Sequence, residues 1–183
     1  MQSDPPVDIS PSQRTHTIPA VAKVLGVSLP MAQRLIESEL GGPSSTDGTI
    51  VSMTDDALKV LLKQRDNWAD TTVPGIAVRV QPAQWTPAEN RFIGWNRYLN
   101  STYRDEAIRQ VWGVRDAHEL VGAAFVVALG GWIAEVRSIT YVEDVPGGRA
   151  FTLGNPTTEQ RVAYEGKRLP PSRGRQVIRL GAV

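Results

Sequence analysis

The run from Val121 to Ile133 constrains this chain more than any other stretch: about 13 mostly apolar residues, broken near their end by Gly130-Gly131. It is too short to cross the roughly 30 Å hydrocarbon core of a bilayer. It is also too apolar to lie in water, so it must be buried in a folded domain. A Gly-Gly pair suits the positive-φ turns that hairpins favour, so Val121–Leu129 and Trp132–Ile139 are expected to pair across it. A second hairpin is expected from Ser138–Val142 to Ala150–Leu153 through Pro146-Gly147-Gly148, with Val177–Leu180 as a last strand. Hydrophobic residues at 41% and charged residues at 21% supply the core and the surface that such a domain needs.

The first third has a different texture. Thr17 begins a helical pattern over Ile18–Leu25, with Pro19 in the first turn, where its missing N–H does no harm, and Gly26 stopping it. Ser28 caps a second helix from Leu29 to about Leu40, with Ala32, Leu35, Ile36 and Leu40 on one face. After a polar loop, Ser44 to Gly48, the extended run Thr49–Met53 leads to Thr54, which caps a third helix through Arg65. Residues 1–16, rich in Pro, Ser and Asp, read as a flexible arm, and residues 66–75, where the period is lost, as a linker. In residues 76–183, Ile76–Val80 alternates as a strand, Thr86-Pro87-Ala88-Glu89 reads as a capping box opening a helix to about Leu99, and Asp105–Gln110 looks helical. The expected class is α+β, in two units joined near residue 75.

The segment Ala22-Lys23-Val24-Leu25-Gly26-Val27-Ser28, followed by Ala32, Leu35 and Ile36, resembles the helix-turn-helix of bacterial regulators of the excisionase and MerR-like winged type, over about residues 17–65. The resemblance implies a winged helix-turn-helix whose second helix enters the major groove of double-stranded DNA. Ser28, Pro30, Met31, Gln33, Arg34 and Glu37 would then form the reading helix, with Gln33 suited to adenine, Arg34 to guanine and Lys23 to a phosphate. Glu37, Glu39, Asp55 and Asp56 oppose this by placing negative charge where a DNA backbone would lie, which suits a docking or dimerisation module instead.

A second resemblance covers residues 103–180. Arg109–Val114, Phe125–Ala128, Ile133–Val136, Arg149–Phe151, Tyr164–Lys167 and Val177–Arg179 look like a small domain of bacterial proteins that also occurs beside nuclease-like modules. It implies a compact, barrel-like α+β shape of the PUA-like group, in which pockets read RNA or unusual bases. Gly174-Arg175-Gln176 replaces that family's usual Asn-Pro before the last strand. Arg109 and Trp112 offer a guanidinium and an indole for a base-stacking pocket, and burial in a core is the competing role for Trp112.

Twenty Lys+Arg against nineteen Asp+Glu leave the chain almost neutral, but the charge is uneven. Residues 1–80 hold seven basic and nine acidic side chains, whereas Arg161–Val183 holds six basic ones against Glu165 alone. Lys167, Arg168, Arg173 and Arg175, around Pro170-Pro171, are therefore expected to contact phosphates.

Catalytic signatures are weak. The absence of cysteine excludes disulfide scaffolds, zinc ribbons and thiol nucleophiles, and two histidines, His16 and His118, suggest neither a metal site nor a triad. The best enzyme candidate is a metal-dependent nuclease built from Asp116 or Glu119 with Glu135 and Arg137. The expectation is a non-enzymatic DNA-binding protein, a transcriptional regulator or a regulator of a mobile element, with no cofactor and no metal. The alternative is a reader of a modified base or RNA through the C-terminal half, with the N-terminal helices docking a partner. A homodimer or a protein partner is compatible with either. Met1-Gln-Ser-Asp-Pro-Pro has no basic and apolar segments of a secretion signal, so a cytoplasmic location without membrane contact is expected.

Overall fold

The computed structural model describes residues 14–47, 50–109, 111–171 and 176–181, with mixed α and β elements. The first part comprises β1 (Thr15–His16), α1 (Ile18–Leu25), α2 (Leu29–Glu37), β2 (Ser44–Asp47), β3 (Ile50–Thr54) and α3 (Asp55–Arg65). Gly26 ends α1 at φ 67°, a left-handed conformation that glycine adopts without Cβ strain. Ser28 and Thr54 cap α2 and α3 by accepting from the N–H groups of Met31 and Ala57. Val21, Leu25, Leu35, Ile36 and Leu61 are fully buried where the three helices meet.

Three expectations for this part change. The second helix stops at Glu37 rather than near Leu40, and the polar loop after it contains β2, which pairs antiparallel with β3. The flexible arm is anchored at its end: Thr15 and His16 pair with Thr54 and Met53, and a His16 ring nitrogen lies 3.0 Å from an Asp55 oxygen. Residues 1–13 lie outside the described residues.

The rest comprises β4 (Gly75–Arg79), β5 (Gln84–Thr86), β6 (Arg91–Ile93), α4 (Ser101–Ile108), a 3₁₀ turn (Ala117–Leu120), β7 (Ala124–Leu129), β8 (Trp132–Val145), β9 (Gly148–Gly154), α5 (Thr158–Tyr164) and β10 (Val177–Leu180). Five strands form one sheet in the order β10-β4-β7-β8-β9, in which only β4 and β7 run parallel. Both expected hairpins are present, and β8, at 14 residues, serves both. The whole of β7 is buried, as an apolar run in the middle of a sheet covered on both faces must be.

The expected helix from Thr86 to Leu99 is instead the hairpin β5–β6. Trp85 pairs with Phe92 across it, edge to face with centroids 5.2 Å apart, and Asn90 takes φ 51° in the turn. A cross-strand aromatic pair outweighs a capping-box signature that nothing downstream supports. The helix α5 lies outside the elements expected from the sequence, and Thr157 and Gln160 open it with a reciprocal capping box.

The segment expected as a linker is bonded along its backbone. Arg168 donates its N–H to Asn67 and accepts from Ala69, both at 2.8 Å, and Asp70 donates to the carbonyl of Ala163. One hydrophobic cluster runs from Val21 and Leu61 to Phe125 and Trp132 and so includes residues on both sides of it. No helix among the described residues is long and apolar enough to cross a membrane.

Tyr164 on α5 is fully buried and donates its hydroxyl to the carbonyl of Val73. Burial, reinforced by Asp70, pushes its pKa from 10.0 up to about 12. The folded state therefore holds this proton more tightly than the unfolded chain. The contribution is complete below pH 10 and is lost as pH rises toward about 12. The thermal midpoint should fall through that window and fall less in Tyr164→Phe. Identical pH profiles for the two proteins would refute the assignment.

Candidate nucleic-acid interface

Helix α2 is presented by three separate restraints. Ser28 caps its N-terminus, although the hydroxyl oxygen is thereby engaged by Met31 N–H. At its other end, Asn96 Nδ2 donates to the Glu37 carbonyl at 3.1 Å, Arg97 N–H to that of Ser38 at 3.1 Å and Arg97 Nη1 to that of Leu40 at 2.7 Å. These groups satisfy carbonyls that a helix end leaves open, and a cation is well placed there. On its flank, Met31 packs on the β7–β8 turn so closely that a Cβ on Gly130 would lie 2.1 Å from its Sδ. Glycine suits this position through its φ of 56°, and any larger residue would also force the Met31 side chain to shift.

This contact corrects one expectation, since Met31 is half-buried against the sheet and does not face outward. Pro30, Gln33, Arg34 and Glu37 do face solvent, together with Leu29. Gln33 Nε2 donates to Glu37 Oε1 at 2.7 Å, so the middle of the free face carries an amide–carboxylate pair. With 3.6 residues per turn, Arg34 stands on the Met31 side of that face, toward the sheet.

There it lines a cleft of about 340 Å³ with Arg79 at the end of β4 and Arg168. Among the described residues the remaining lining is apolar or neutral, including Val80, Leu129, Pro170 and Ile178, with no acidic side chain. The Arg168 guanidinium lies 3.9 Å from the ring centroid of Trp132 and 5.4 Å from that of Trp68. Burial lowers its pKa below the ordinary guanidinium value, and Asp66 pulls in the opposite direction. Arg168, expected as a phosphate contact, is thus a fixed cation in a cleft wall. Arg79 was not among the sequence candidates, because nothing local distinguishes an arginine at the end of a strand.

Of the other expected phosphate contacts, Lys23 is exposed on the last turn of α1 and Lys167 is half-buried. Arg173 and Arg175 lie outside the described residues. The Arg109 and Trp112 stacking pair is not formed: Trp112 is 2% exposed, packs edge to face on Phe125 and donates Nε1–H to the Ile108 carbonyl. Arg109 points to Glu143, 3.6 Å away.

Two of the carboxylates considered for a nuclease, Glu135 and Glu119, have separate partners. Glu135 Oε2 accepts from Trp95 Nε1 at 2.9 Å and lies 3.2 Å from Arg104 Nε, off hydrogen-bond alignment, while Oε1 accepts from Arg137 at 3.2 Å. Arg137 also pairs with Asp105, whereas Glu119 pairs with Arg179 at 3.4 Å and Asp116 precedes the 3₁₀ turn at φ 50°. Among the described residues no three His, Asp or Glu side chains are placed together to hold a metal ion. Comparison with family models, curated proteins and solved structures finds no match to this chain.

Proposed function

We propose that the chain is a sequence-specific double-stranded-DNA-binding protein, a transcriptional regulator or a regulator of a mobile element, whose residues 17–65 act as a winged helix-turn-helix. The observation that carries this reading is the free face of α2, with Gln33 and Arg34 exposed on a helix held at both ends and bordered by a cleft lined with cations. A helix preset in this way loses little entropy on entering a groove. The hairpin β2–β3 occupies the place of a wing, between α2 and α3. Glu37 does not rule out base contact, because a carboxylate in the major groove can accept from cytosine N4. The C-terminal half, in the PUA-like reading, braces α2. The alternative of a base or RNA reader loses its stacking residue with Trp112 in the core.

Selection of bound duplexes from a random pool tests the proposal. Wild type should enrich one motif, and Arg34→Ala should lose preference at one or two adjacent positions, a discrimination of about 1–3 kcal/mol per base. A dimer would reveal itself by half-sites about 34–36 Å apart. If wild type enriches no motif, specific DNA binding is eliminated.

A further inference from the structure

The cleft beside α2 has the properties of a small-ligand site. Its volume of about 340 Å³ falls at the lower end of the roughly 300–1,000 Å³ typical of small-molecule pockets. Its cations come from three places far apart in sequence, α2, the end of β4 and the segment before Pro170. Among the described residues Arg34 and Arg168 make no salt bridge, so neither charge is neutralised by a carboxylate in contact with it. Arg168 is already immobilised by stacking on Trp132, and its backbone is stitched on one side to Asn67 and Ala69 and, through Leu169 N–H, to Gly131 on the other. Guanidinium groups match the several oxygens of a phosphate through paired N–H donors, and preset ones bind with less entropic loss. The apolar walls formed by Val80, Leu129 and Ile178 leave room for more than the phosphate alone.

We propose that this cleft binds a small phosphate monoester, gripped by Arg34, Arg79 and Arg168. Taken with the DNA-binding reading, on which this second step rests, the occupant regulates the protein: Arg34 belongs both to the cleft wall and to the free flank of α2. A bound phosphoester holds Arg34 in the cleft and withdraws it from the groove, so ligand and duplex compete.

The test is calorimetric titration of the full chain with inorganic phosphate and ribose 5-phosphate, on wild type, Arg34→Gln, Arg79→Gln and Lys63→Gln, an exposed residue outside the cleft lining, all checked for folding by circular dichroism. Wild type and Lys63→Gln should bind ribose 5-phosphate equally and more tightly than phosphate. Each cleft variant should bind about tenfold to a hundredfold more weakly, as loss of a charge-assisted hydrogen bond requires. Arg34→Gln changes an exposed side chain and keeps the test valid even if Arg79→Gln fails to fold. No binding by wild type at millimolar ligand, or equal binding by the folded cleft variants, would overturn the site. Uptake of duplex DNA alone, weakened by Arg79→Gln, would mean that the cleft serves the DNA backbone, and would also overturn it. Binding of the free phosphoester by a chain that selects no duplex would support the site and remove the DNA reading.

Discussion

Replacing Glu135 by alanine should destabilise the fold by about 1.5–3 kcal/mol, the range for hydrogen bonds made to a charged group. The Glu135 side chain is 12% exposed and the Arg137 side chain 19%; Trp95 and Arg137 each donate to one of the carboxylate oxygens, and the Arg104 guanidinium lies beside Oε2. Deleting the carboxylate leaves the Arg104 guanidinium without its nearest counter-charge and the Trp95 indole N–H without its acceptor, while Arg137 keeps Asp105. Glu135→Gln retains an acceptor and should fall between alanine and wild type. Urea denaturation with an unchanged m-value measures the effect. A loss below about 1 kcal/mol, the value of an exposed pair, would show that the network is solvated after all.

Trp132→Ala should lose about 3–5 kcal/mol, as expected for a large aromatic side chain removed from a packed core. Trp132 is fully buried, donates Nε1–H to the carbonyl of Leu61 on α3 at 3.3 Å and supports the Arg168 guanidinium on its face. One residue therefore touches the helical part, the sheet and the cleft wall. Trp132→Phe restores a ring face but not the donor, so it should recover most of the stability while leaving the Leu61 carbonyl unbonded by the indole. If Trp132→Phe is as damaging as alanine, the hydrogen bond and not the packing dominates.

The local features were readable because each depends on neighbouring residues. Gly26 and Ser28 mark the turn between α1 and α2, Thr54 marks α3, and the two glycine turns mark the hairpins on either side of β8. Thr86–Glu89 was misread because its helical cue is local, whereas the pairing of Trp85 with Phe92 that defeats it becomes visible only when the chain turns back. The candidate site divides in the same way. Gln33, Arg34 and Glu37 could be placed on an exposed face from helical spacing alone. The approach of Met31 to Gly130, the stacking of Arg168 on Trp132 and the presence of Arg79 in the same cleft join distant segments, and no periodicity encodes such contacts.

The place of β10 beside β4 has a consequence for how the chain is made. β4 is the first strand of its sheet in sequence, and its two neighbours are β7, far downstream, and β10, the last strand. As the polypeptide emerges, Gly75–Val78, buried in the finished fold, must wait with one edge unpaired until Val177–Leu180 has been synthesised. Non-local pairing of this kind slows folding, and an apolar strand with a bare edge invites pairing with other chains. A chain cut after Pro171 would retain every described helix and the three arginines that line the cleft, yet present that edge permanently. Its expected fate is accumulation in the insoluble fraction.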